Sequence, residues 1–98
     1  MQDHFPNVRD GRKTVTTPGT AVQLATSATR CKQVTVMAEL DNTDYVVVGA
    51  STVVAALATR RGIPLSPGMS IVLKVDDLTD VYIDAVVATE GVTFLYQF

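Results

Sequence analysis

Asp76, Asp77, Asp80 and Asp84 form the densest group of potentially reactive side chains in the sequence. Carboxylates this close could hold calcium, which takes several oxygens from a flexible loop. The spacing lacks the alternating Asp-x-Asp-x-Asp-Gly pattern, and Asp84 falls beyond the corner, inside a strand pattern. The plainer expectation is that these aspartates bond to turn amides. Cys31, the single cysteine, sits between Arg30 and Lys32, a setting that could lower its pKa. A nucleophilic thiol also needs a base held within hydrogen-bond reach. The single histidine, His4, lies in a polar leading segment, so a structural Cys31 is expected. Zinc needs three or four ligands of the His, Cys or carboxylate type. Glycine-rich phosphate loops are missing from the sequence. The chain is therefore expected to be non-enzymatic, with no catalytic residues, cofactor or metal.

The elements that would position any site must come from one domain, since the chain has 98 residues. Hydrophobic residues make up 47%, with no Trp, so Val, Ala, Leu and Ile have to build the core. Such β-branched content suits pleated sheets. A lone cysteine cannot form an intrachain disulfide. The longest apolar run, Val53 to Ala58, is far short of the roughly 20 residues of a membrane span. Residues 1–13 have no apolar h-region, so no signal peptide or membrane partner is expected. Charge is unevenly placed. Through Lys32 there are five bases against two acids, a net of +3. From Gln33 onward there are three bases against eight acids, a net of −5. A cationic leader on an acidic body suits an arm that grips a partner. An acidic body argues against direct nucleic-acid binding, which wants a basic face with interleaved aromatics.

Turn signals divide the rest. Thr17-Pro18-Gly19-Thr20 and Ser66-Pro67-Gly68-Met69 have the form of type II turns, with Pro at the first corner and Gly supplying the positive φ of the second. Residues 1–13 read as a flexible N-terminal arm and 14–98 as a single β domain. Strands are expected near 14–17, 21–24, 33–40, 45–48, 70–75, 81–87 and 92–98, from alternation of apolar and polar residues. Residues 45–48, apolar on both faces, should be central. Residues 50–62 favour a long loop with a helical turn, with a short helix near 51–60 as the alternative. The fold class is then all-β: a small antiparallel β-sandwich, jelly-roll-like or partly closed as a barrel, of about seven strands.

After the inward-facing files are assigned to a core, the second files still carry Met37, Val72, Tyr82, Val86 and Leu95. So much spare apolar surface suits an interface, with a cyclic homo-oligomer as its product. Arg9, Arg12 and Lys13 are the arm residues expected to make charged contacts. Met37, Val72, Tyr82 and Leu95 are the body residues expected to make apolar ones.

Several segments carry a resemblance: TPGTAVQL at 17–24, VTVMAELDNT at 34–43, VVVG at 46–49, GIPLSPG at 62–68 and DLTDVYIDA at 77–85. In order, these resemble small virion structural proteins of tailed bacteriophages, β-sandwiches that serve as capsid decoration (cement) proteins, head fibres or tail accessory parts. The resemblance covers residues 14–98. It implies a protein assembled in the host cytoplasm into the virion, with the major capsid protein or other virion proteins as partners, a trimer as the favoured state, and a head-stabilising role. A tail or fibre module for host recognition through carbohydrate is the alternative. On this view, deleting residues 1–13 leaves the fold intact and weakens capsid binding.

Overall fold

A computed structural model describes residues 7–98. Eight strands run in order: β1 (Val8–Thr14), β2 (Val22–Gln23), β3 (Gln33–Ala38), β4 (Val46–Gly49), β5 (Ile63–Leu65), β6 (Ser70–Leu73), β7 (Tyr82–Ala85) and β8 (Gly91–Gln97). They form two four-stranded antiparallel sheets, ordered β1-β8-β3-β6 and β2-β7-β4-β5. The pairs β1·β8, β2·β7, β3·β6 and β4·β5 are those of one long hairpin closed at the β4–β5 connection. Rolling that hairpin up adds β3·β8 and β4·β7. This is the double-sheet jelly roll, which decides between the two architectures expected from the sequence.

The core follows from the period of two. Val34, Val36 and Ala38 of β3 are fully buried, as are Val46 and Val47 of β4, Ile83 of β7 and Val92 of β8. β4 lies between β7 and β5, the central position its doubly apolar sequence requires. Both Pro-Gly turns form as expected. Thr20 N donates to Thr17 O at 3.1 Å and Met69 N to Ser66 O at 2.9 Å, with positive φ at Gly19 and Gly68. Gly68 N then donates to Ala38 O while Ala38 N donates to Met69 O, both at 2.9 Å. Two residues thus oppose one, a glycine β-bulge that starts β6.

The expected strands at 21–24, 70–75 and 81–87 shorten to Val22–Gln23, Ser70–Leu73 and Tyr82–Ala85, residues 15–17 lie in no strand, and the strand reading needs three further corrections. Residues 8–13, expected in a free arm, form an edge strand paired with β8 from Val8↔Gln97 to Thr14↔Gly91. No apolar alternation marked it, because this strand is held by backbone bonds, and on its inner side it offers Gly11, over which the Phe94 ring sits. Residues 1–6, with His4, lie outside the described residues. Second, β5 is a separate strand, which raises the count from seven to eight. Third, Leu40 leaves the inward file of β3 and is 80% exposed, because β3 ends at Ala38. Residues 50–62 form a loop with one 3₁₀ turn at Leu57–Thr59, as favoured.

Candidate interaction face

The outer faces of the two sheets differ in kind. On the second sheet, the 50–56 and 17–21 loops fold back over β7 and β4. Asp84 of β7, fully buried, holds them there. Its Oδ1 accepts from Gly19 N at 2.9 Å and Ala85 N at 3.0 Å, and its Oδ2 from Ala55 N at 2.9 Å. A small apolar cluster closes beside it: Val47, Val53 and Ala55, with Ala21 and Tyr82 packed against them. Tyr82, expected on an exposed adhesive face, is instead half-buried against Val53 and Ala55 of the 50–56 loop. What the sequence hid is that long loops can serve as a second layer.

Among the described residues, nothing covers the outer face of the first sheet in this way. Its registers set two cross-strand rows, Asp10–Leu95–Thr35–Val72 and Arg12–Thr93–Met37–Ser70. Met37, Val72 and Leu95 are 36%, 54% and 46% exposed, so three of the four apolar residues singled out from the sequence meet on one surface. Val8, 53% exposed, opposes Gln97 and extends the same face; sequence reasoning missed it because the surrounding charges masked a strand. Arg12 reaches across to Glu39 of the segment after β3, with Nε to Oε2 at 2.6 Å. It is the one ion pair among the described residues and fixes a charged border to the apolar rows.

Arg9 and Lys13 alternate to the other side of β1 and do not join Arg12. Lys13 opposes Val92. Arg9 sits over the Phe98 ring, its Cζ 5.2 Å from the centroid. Together with Thr29, Arg30 and Tyr96 these two line a cleft of about 250 Å³ at one end of the sandwich.

Asp84 parts from the other three aspartates, while Asp76, Asp77 and Asp80 line one cleft with Arg30. Asp77 accepts from Thr29 N, Thr79 N and Thr79 Oγ1 at 2.8–3.0 Å. These bonds, that from Thr79 N first, hold its carboxyl below the usual range. Among the described residues no group of three or more His, Cys, Asp or Glu side chains is placed to hold a metal. Cys31 is buried and donates to Val75 O at 3.2 Å. Its pKa is raised, chiefly by burial and then by Asp77, Asp76 and Asp80. Arg30 and Lys32, which could have lowered it, do not set the direction, and the buried thiol fits the structural role expected for Cys31. Burial pulls Glu90 up, yet hydrogen bonds from Thr43 N, Thr43 Oγ1 and Asp44 N outweigh it and hold the carboxyl low.

No described helix is long and apolar enough to cross a membrane. No family model matches the chain, and no curated protein or solved structure is significantly similar to it.

Proposed function

We propose that the protein is a non-enzymatic structural component of a tailed-phage particle, a capsid decoration protein that binds the major capsid protein shell and stabilises the head. The observation that carries this reading is the asymmetry of the two outer faces. One is sealed by loops around Asp84. The other presents Met37, Val72 and Leu95 to solvent, bordered by Asp10 and the Arg12–Glu39 pair. An apolar centre with a charged rim is the anatomy of a docking surface. The jelly roll is a frequent architecture of virion domains, though also of lectins and cupins, so the fold lends support without deciding function. A shell-binding role asks for a stiff body and an adhesive face, and needs no chemistry.

The test is to mix the purified protein with heads of its parent particle that lack it, then pellet them. Binding in a fixed ratio to the shell subunit, with heads made harder to burst by heat, supports the role. Heads that pellet bare overturn it.

A second reading, host recognition through carbohydrate on a tail or fibre, is favoured by the cleft between Arg9, Arg30, Tyr96 and Phe98. Arginines beside aromatic rings could hold an acidic sugar through stacking and paired hydrogen bonds. A glycan array that includes uronate- and sialate-bearing sugars separates the readings: retention of acidic glycans, abolished by Arg30→Ala, favours the second.

A further inference from the structure

We propose that β6 is a self-association edge, and that two copies of the chain pair β6 to β6 about a twofold axis through Val72. The inference stands apart from the proposed function and holds whatever particle the protein belongs to.

A strand at the edge of a sheet presents unpaired N–H and C=O groups, and proteins block such edges with charge, proline or brevity. Three of the four edges here are blocked. β1 carries Arg9, Asp10, Arg12 and Lys13 among its seven residues. β2 is two residues long. β5 contains Pro64, which cannot donate. β6, Ser-Ile-Val-Leu, carries neither charge nor proline along its four residues, and its glycine bulge lies before its first residue rather than within it.

The groups on β6 that bond to no described residue can be assigned from the ladder. Ala38 bonds to Met69, and bonded pairs alternate along an antiparallel ladder. Val36–Ile71 and Val34–Leu73 are then the bonded pairs, and the amide groups of Ser70 and Val72 turn to the open edge. Beside that edge runs an apolar groove of about 290 Å³. Ile71, Leu73 and Val75 form one wall and Val48, Ile63 and Val81 the other, with Asp80 as its one charged group. The groove is the open side of the sandwich, between the edge strands β6 and β5.

A second copy fits both features. With Val72 on the axis, Val72 exchanges bonds with its counterpart, and Ser70 on each copy faces Lys74 of the other. Ile71 faces Leu73 of the second copy, so the inward file of each β6 closes the mouth of the other's groove. Lys74 stays clear of its own counterpart, and no like charges meet within the paired strands. The outer row Asp10–Leu95–Thr35–Val72 becomes continuous across the axis. A strand edge pairs with its own copy only about a twofold, so the proposed contact makes a dimer where the sequence reading favoured a trimer.

The test is sedimentation over a concentration series for the wild-type chain, Val72→Pro and Val72→Lys. Proline removes the outward N–H at a site where an edge strand tolerates it, and lysine sets like charges against each other on the axis while staying in solvent. The expected result is a wild-type dimer, with the dissociation constant raised about tenfold or more in each variant that retains its circular dichroism. Amide exchange at Ser70 and Val72 should slow as dimer forms, while Ile71 and Leu73 are protected throughout. If Val72→Pro fails to fold, Val72→Lys decides. A wild-type monomer at every concentration, a trimer, or a dimer indifferent to Val72→Lys overturns the proposal.

Discussion

Gly11 on β1 leaves room for the ring of Phe94 on β8. A β-carbon built at Gly11 would come within 2.5 Å of Phe94 Cζ. The two are direct cross-strand partners, and Phe94 belongs to the main core. An aromatic laid across a glycine restores cross-strand packing that the glycine alone cannot supply. Gly11→Val should therefore push the ring off its seat and cost about 1–3 kcal/mol, the usual range for overpacking. Urea denaturation reads this directly, and an unchanged midpoint would contradict the relationship.

Because β1 is part of the first sheet, deletion of residues 1–13 should damage the fold. Removing the strand strips the β8 edge along Gly91–Gln97 and uncovers Phe94. The truncated chain is expected to lose its cooperative unfolding transition or to aggregate through the bared edge. A truncated protein with wild-type thermal unfolding would show that β1 is dispensable.

Asp84 should be the costliest single polar side chain to remove. Asp84→Ala orphans the buried amide of Ala55 and the part-buried amide of Gly19, and releases the loops packed by Val47 and Tyr82. A buried donor left without its acceptor costs about 1–3 kcal/mol, so a loss of roughly 2–5 kcal/mol is expected by equilibrium unfolding. Limited proteolysis should then cut first within 50–60. Equal stability in Asp84→Ala would sink the staple.

Acid should weaken the protein through Asp77 and Glu90. Both carboxyls have lowered pKa values in the folded state. The unfolded chain therefore binds protons first as pH falls, and stability drops from near the ordinary carboxylate range, about pH 4, downward. The contribution is fully present above that range. Asp77→Asn and Glu90→Gln should flatten the pH dependence of the unfolding midpoint between about pH 2 and pH 5. Wild-type steepness in the double variant would show that other groups carry the acid response.

Leu95→Glu and Tyr82→Ala should separate docking from folding. Leu95 is 46% exposed on the uncovered face, so Leu95→Glu should change stability by no more than about 0.5 kcal/mol while abolishing attachment to heads. Tyr82 packs against the 50–56 loop, and Tyr82→Ala should cost about 2–4 kcal/mol. The proposed docking role fails if Leu95→Glu binds heads as well as the wild type.

The alternation in 33–38 and 82–85, the doubly apolar run at 46–48 and the two Pro-Gly turns were enough to indicate an all-β fold and most of its inward files, because side-chain direction along a strand depends only on local backbone geometry. The same files named Met37, Val72 and Leu95. Whether an outward residue meets water is not a local property. Tyr82 and Leu95 have the same pattern, yet one packs against the 50–56 loop and the other lies in the open. β1 is invisible to periodicity because β8 holds it through backbone groups, which every residue carries. The Cys31 pKa is raised chiefly by burial, and aspartates more than forty positions away add to it. Tertiary structure decided these points because cover, partner strands and electric fields are set by distance in space, which the order of residues does not encode.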